Sequence, residues 1–164
     1  MTDYTDRFLK IIPQVFLHEG GYVKNRKDPG GETKYGISKR SYPHLEIKKL
    51  TKAEATEIYY YDWWLKYMFE LLPEPIGEKI FDLAINMGHR RSIRILQKAL
   101  EPFYPNISID GIMGPKTLKM SRKAPSQKLI KNIRKQAEAY YIRLVQAKPQ
   151  MAIFLEGWLN RARF

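Results

Sequence analysis

The stretch that decides the reading is His18-Glu19-Gly20-Gly21-Tyr22, followed after five residues by Asp28-Pro29-Gly30-Gly31-Glu32-Thr33-Lys34-Tyr35-Gly36-Ile37. Upstream of it, Asp3 to His18 carries Phe8, Ile11, Ile12, Val15 and Phe16 at the spacing of one helix face. Pro13 falls inside that pattern, so the helix is kinked there or starts later. Gly20-Gly21 supplies a stop, because glycine accepts the left-handed backbone that ends helices. Glu19 therefore belongs to the last helical turn, at the electronegative end of the helix. That field favours the protonated carboxyl, and burial against aromatic rings would act in the same direction.

A carboxyl that holds its proton, paired with a partner that does not, is the requirement of glycoside hydrolysis. Glu19 has the position of a general acid, although a solvated surface glutamate would satisfy the same pattern. In the loop, Pro29 fixes one backbone angle and Gly30-Gly31 permits unusual ones, which lets a chain pass close to a ligand. Asp28 can serve as charge stabiliser or base, or accept backbone hydrogen bonds in a tight turn. Thr33 can orient a water or simply belong to the same tight turn. Tyr22 and Tyr35 are candidate sugar contacts in the same segment.

On these residues the chain resembles the glycoside hydrolase family 108 muramidases, which comprise phage endolysins and secretion-associated lysozymes. The matching pieces are Glu19-Gly20-Gly21-Tyr22, Asp28-Pro29-Gly30-Gly31, Thr33-Lys34-Tyr35-Gly36-Ile37-Ser38, Phe81-Asp82-Leu83-Ala84-Ile85-Asn86-Met87-Gly88 and Gly157-Trp158-Leu159-Asn160-Arg161. The resemblance runs from about Phe8 to Arg161. It implies a lysozyme-like helical fold and cleavage of the β-1,4 bond between N-acetylmuramic acid and N-acetylglucosamine, with Glu19 as acid. The chain is also similar, more loosely, to the smaller phage-type lysozymes, which place a carboxylate nine positions and a threonine fifteen positions after their glutamate. Asp28 fits the first interval, whereas the second falls on Lys34 and the hydroxyl comes one residue earlier, at Thr33.

The 164 residues are 44% hydrophobic and 28% charged, as in a soluble globular protein. No apolar run reaches the roughly 18–20 residues needed to span a bilayer. The start, Met1-Thr2-Asp3-Tyr4-Thr5-Asp6-Arg7, lacks the basic and apolar segments of a signal peptide. Synthesis in the cytoplasm, passage through a holin or dedicated export route, and action in the periplasm or at the cell wall are therefore expected. There is no cysteine, and His18, His44 and His89 show no ligand spacing, so neither a metal nor another cofactor is expected. Charge is unevenly placed: residues 1–82 are neutral in sum, while residues 83–164 hold 16 Lys and Arg against 4 Asp and Glu. Such a field draws polyanions, and the bacterial envelope is the expected one.

The remaining pattern is mainly α, with at most a small β-hairpin near residues 22–37. A short helix is expected from Ser38 to before Pro43. Thr51-Lys52-Ala53-Glu54 reads as a capping box that opens a helix to about Lys66. Pro75 opens a helix ending at Gly88, and another runs from about Arg90 to Leu100. Gly114-Pro115 starts a short helix, and Pro125-Ser126 precedes a long one with Leu129, Ile133, Ala137, Tyr140 and Leu144 on its apolar face. A last helix follows Pro149 and ends near Arg161. The loop at 104–114 marks a boundary between a catalytic lysozyme-like region, 1–103, and a basic helical region, 104–164, packed on it as one compact body.

Tyr59-Tyr60-Tyr61-Asp62-Trp63-Trp64 points aromatic rings in several directions, and Trp63 and Trp64 are the expected wall of a sugar groove. Asp82 and Asn86 share a helix face; Asn86 suits an N-acetyl or hydroxyl group, and Asp82 suits a pairing role within the core. Leu96-Gln97-Lys98-Ala99-Leu100 with Asp110-Gly111-Ile112-Met113-Gly114-Pro115-Lys116-Thr117 resembles the helix-loop-helix signature of peptidoglycan-binding modules. The expected function is thus a peptidoglycan hydrolase. Two rival classes are a non-catalytic wall-binding or secretion-accessory protein and a nucleic-acid binder. The second is not expected, for want of a helix-turn-helix or single-strand-binding signature.

Overall fold

The computed structural model describes residues 3–24 and 31–163. The chain divides into two compact units, Met1–Tyr67 and Met68–Phe164.

In the first unit, Thr5 caps α1 (Asp6–Glu19) by accepting a hydrogen bond from the Phe8 amide. The helix runs through Pro13. The carbonyl that loses its donor there belongs to Leu9, and both residues are exposed, so water can replace the missing bond. Phe8, Ile11, Ile12 and Val15 are buried along one stripe. Gly20, at φ 67°, ends the helix.

A small antiparallel meander follows: β1 (Val23–Lys24), β2 (Glu32–Lys34) and β3 (Ile37–Ser38), in that order. One strand more than a hairpin is present. The helix expected after Ser38 is replaced by a turn, because the Ser38 hydroxyl accepts from the Ser41 amide and competes with a helical ladder. The Thr51–Glu54 capping box forms as expected and starts α2 (Lys52–Ile58). From Tyr59 to Leu65 the helix widens into a π-helix, where a regular α-helix was expected.

The second unit is helical. Its elements are α3 (Ile76–Met87), α4 (His89–Leu100), α5 (Pro115–Lys123), α6 (Ser126–Ala147) and α7 (Leu155–Arg163), with 3-10 turns at Phe69–Leu71 and Pro149–Phe154. Gly88, at φ 88°, makes the sharp connection from α3 to α4. α6 buries Leu129, Ile130, Ile133, Ala137 and Tyr141. The expected Tyr140 is only half-buried, because the row of i, i+4 neighbours continues from Ala137 to Tyr141. Tyr141 stacks on Trp158 at 5.3 Å and donates to Asn86 Oδ1 at 2.8 Å.

The connection from α4 to α5 is organised by one buried side chain. Gln97 Nε2 donates to Asp110 Oδ1 at 2.8 Å and to the Ile112 carbonyl at 3.2 Å, and its Oε1 accepts from the Gly111 amide at 2.9 Å. Asp110 Oδ1 also accepts from the Ile112 amide, and these bonds hold its carboxyl below the usual range. A Cβ on Gly111 would lie 2.7 Å from the Arg90 carbonyl, so the Asp-Gly sequence is a packing requirement here.

Asp82 pairs within the core, as its apolar surroundings suggested. Arg161 Nε lies 3.0 Å from its Oδ1 and 3.1 Å from its Oδ2, and both residues are buried. Lys79 joins them by donating to the Arg161 carbonyl. Burial pushes the Lys79 ammonium down to about 8; Asp82 opposes that shift, while Arg134 and Arg161 reinforce it. Removing one partner strands a buried charge, so Asp82→Asn should destabilise the protein by about 3–5 kcal/mol in denaturant titration. The depressed Lys79 value has its own signature. Between pH 8 and 10.5 the unfolded chain binds more protons at this lysine than the folded one, so its contribution to stability rises with pH. The stability of the wild type relative to Lys79→Met should therefore increase over that window, by about 1–3 kcal/mol.

Candidate active site

Glu19 closes α1 and is half-buried. Its carboxylate is seated against the β2–β3 turn. Tyr35 and Gly36 are the two central residues of that turn, at φ 52° and 78°, the signs of a type I′ hairpin. A Cβ on Gly36 would meet Tyr59 Oη at 2.4 Å and Glu19 Oε2 at 2.9 Å. Glycine is thus dictated twice, by backbone angle and by the two polar groups that occupy the side-chain space. Tyr35 holds a positive φ without being glycine, a strain that its neighbours must hold in place. Its ring packs edge-on to Phe16 at 5.6 Å, Lys34 Nζ sits 5.4 Å above it, and its carbonyl accepts from Tyr59 Oη at 2.7 Å.

Tyr59 thereby spends its proton on the turn backbone, and the oxygen it presents beside Glu19 is an acceptor. The next ring along is Trp63, half-buried and 6.5 Å from Tyr59. Beyond it, Tyr42 Oη donates to Asp62 Oδ2 at 3.0 Å. Burial first, then the Asp62 carboxylate, push the Tyr42 hydroxyl up to about 12, against a hydrogen bond with Trp63 that acts the other way. Glu19, Tyr35, Tyr59, Trp63, Tyr42 and Asp62 form one connected polar-aromatic network within the first unit, with Tyr59 as its buried member.

The other expected site residues fall out differently. Trp64 is a correction: it is 0% exposed, with its ring 6.0 Å from Phe8 and under the Arg7 guanidinium, so it cannot wall a groove. Neighbouring residues of the π-helix point in different directions, which sends Tyr60 and Trp64 towards Phe8 and leaves Tyr59 and Trp63 together on another side. Thr33 pairs with Val23 and Ser38, and strand alternation puts it on the sheet face opposite buried Ile37. Tyr22 lies just before β1 and is 37% exposed. Asn86 is exposed and belongs to the second unit, oriented there by Tyr141. Asp28 lies outside the described residues. Sequence reasoning missed Gly36, Tyr59, Tyr42 and Asp62 as site members. The usable signal was Tyr35-Gly36 itself, a bulky residue in a hairpin position that favours Asn or Asp.

Among the described residues no group of three or more His, Asp or Glu could hold a metal, and no helix is long and apolar enough to cross a membrane.

A half-buried glutamate at a helix end, flanked by a strained turn and aromatic rings, defines a candidate glycosidase site on a lysozyme-like helical fold. The family comparisons agree. Residues 12–88 match the glycosyl hydrolase 108 model, and residues 91–163 match a predicted peptidoglycan domain. The structure of SagA from Brucella abortus is similar at a TM-score of 0.77 and 32% identity, over 95% of this chain and 89% of that one. No curated protein sequence matches. The chain belongs to glycosyl hydrolase family 108, with a peptidoglycan-binding-like second half, and is a glycoside hydrolase acting on peptidoglycan.

The Gly36 contact can be tested by a double-mutant cycle. Gly36→Ala should destabilise by about 1–3 kcal/mol, from backbone strain and overpacking together. Tyr59→Phe removes the hydroxyl that the new methyl would strike, so the two substitutions should combine less than additively in thermal or denaturant unfolding.

Proposed function

We propose that the protein is an endolysin-type muramidase, with Glu19 as the general acid at the β-1,4 bond between N-acetylmuramic acid and N-acetylglucosamine. The observation that carries this reading is the placement of Glu19 against Gly36 and Tyr59, which fixes the carboxyl while leaving it partly open to solvent. Glu19 protonates the glycosidic oxygen as the bond breaks and the sugar acquires oxocarbenium character. Tyr59 Oη, already donating to the Tyr35 carbonyl, presents its lone pairs beside that carboxyl. Trp63 and Tyr22, both partly open, would offer rings to sugar faces, and Tyr35 belongs to the turn against which Glu19 rests. Asn86 would offer its amide N–H groups to an acetamido or hydroxyl oxygen, its Oδ1 being taken by Tyr141. The opposite face of the sugar is assigned to Asp28, or to a water held by Thr33. A carboxyl separation of about 5–5.5 Å would give retention and about 6.5–9.5 Å inversion.

Glu19→Gln should lower the clearing of purified murein suspensions by at least about 10²-fold while leaving co-sedimentation with murein intact. Equal clearing by both proteins would remove Glu19 from the mechanism. Sedimentation with murein but no clearing by the wild type would identify a binding protein. Mass spectrometry of the cut strands should show reducing N-acetylmuramic acid; reducing N-acetylglucosamine would move the cleavage to the other bond, and anhydro ends would make the enzyme a lytic transglycosylase.

A further inference from the structure

The second unit carries a groove of about 270 Å³ between α4 and α6. Its α4 wall presents Arg91, Arg94 and Lys98 with buried Ile95 between them, and its α6 wall presents Gln136, Tyr140 and Arg143. Each set recurs at three- and four-residue steps, so two helix stripes face one another. None of the lining residues is acidic. The surrounding segment, residues 89–147, holds 13 Lys and Arg against 3 Asp and Glu. Two of those carboxylates are engaged elsewhere: Asp110 with Gln97 and the Ile112 amide, Glu138 with Arg163 at 2.7 Å. No acidic residue lines the groove; Asp110, outside its walls, interacts electrostatically with one of the four cations, Arg94.

We infer that this groove binds the anionic peptide stems of peptidoglycan, apart from the cleavage chemistry at Glu19. The choice of ligand rests on the peptidoglycan reading above; the anion site itself rests on the groove. The volume falls just below the roughly 300–1,000 Å³ of sites that enclose a whole drug-sized ligand, which suits a short branch of a larger polymer. Carboxylates on the stem match the arginine forks, which recognise planar anions through paired N–H donors. Gln136 and the Tyr140 hydroxyl can donate to and accept from peptide amides. Ile95 and the Tyr140 ring give apolar contact to alanine methyls. A bare phosphate would use the cations and leave the amide, hydroxyl and apolar lining without a role.

The test uses the full chain and four probes: the free tetrapeptide L-Ala-D-Glu-diaminopimelate-D-Ala, peptide-stripped glycan strands, and inorganic phosphate and duplex DNA at matched ionic strength. Tetrapeptide titration followed by NMR should perturb the Arg94, Tyr140 and Arg143 resonances. Lys98→Gln/Arg143→Gln should weaken that binding about tenfold. The same variant should cleave stripped glycan strands at the wild-type rate, which also shows that it folds. A second variant, Tyr140→Ala, should weaken tetrapeptide binding without changing net charge. Unchanged tetrapeptide binding in both variants would overturn the proposal. So would phosphate or duplex DNA perturbing the same resonances at equal or lower concentration than the tetrapeptide. Tetrapeptide binding by a wild-type protein that cleaves no glycan would support the groove and overturn the hydrolase reading, which keeps the two failures apart.

Discussion

The space where a single methyl group would sit governs the first unit. Gly36 has Tyr59 Oη and Glu19 Oε2 where its side chain would be, so three segments distant in sequence converge on one point: the end of α1, the β2–β3 turn and the start of the π-helix. The consequences run outward. Because the Tyr59 proton goes to the Tyr35 carbonyl, the turn is held to the helix by a hydrogen bond as well as by packing. Because the turn is type I′, Tyr35 must take a left-handed backbone, and its ring is turned onto Phe16. The strain at Tyr35 and the clearance at Gly36 are two sides of the same arrangement, which delivers a carboxyl to a fixed place against a turn.

The π-helical stretch gives the aromatic run two jobs. In Tyr59-Tyr60-Tyr61-Asp62-Trp63-Trp64, alternate pairs separate onto different faces. Tyr60 and Trp64 complete the core around Phe8, whereas Tyr59, equally buried, packs towards Glu19 and the half-buried Trp63. Asp62, between them, accepts from Tyr42 and so ties the segment after β3 to the same surface. One short segment thus places Tyr59, Tyr60 and Trp64 in buried positions and leaves Trp63 as its candidate sugar contact. π-helical turns recur at functional sites, and here the reason is visible in which rings remain partly open.

Helices were the legible part of the sequence, since caps and breakers act locally. Thr51 with Glu54, Pro115 behind Gly114, and Gly88 between two amphipathic runs each declare a boundary through their own chemistry. Glu19 was legible as a helix end for the same reason. The small sheet was less so: strands of two or three residues carry no period, and their register depends on the Tyr35-Gly36 turn. The fate of Trp64 was invisible because Trp63 and Trp64 have the same chemistry, and only the direction of α1 decides which meets Phe8. Tyr140 and Tyr141 pose the same problem on α6, where the neighbour Trp158 decides it. Tyr59 and Gly36 escaped notice as a pair because their contact spans the chain between a turn and a helix.

The charge asymmetry of the sequence acquires a structural meaning from where the few carboxylates go. Asp82, at the edge of the neutral half, is consumed by Arg161 in the core of the second unit. Asp110 is consumed by the Gln97 loop, and Glu138 by Arg163. Asp110 and Glu138, two of the four carboxylates of residues 83–164, are thus tied to specific partners, and 16 Lys and Arg stand against those four. A random scatter of the same charges would be screened within about 8–10 Å at physiological salt. Cations set at regular steps along two facing helices, with apolar and amide groups between them, remain a recognition surface at close range even when the long-range field is screened. On the proposal made above, the basic excess is the complement of a particular polymer's side branches rather than a general attraction to anions.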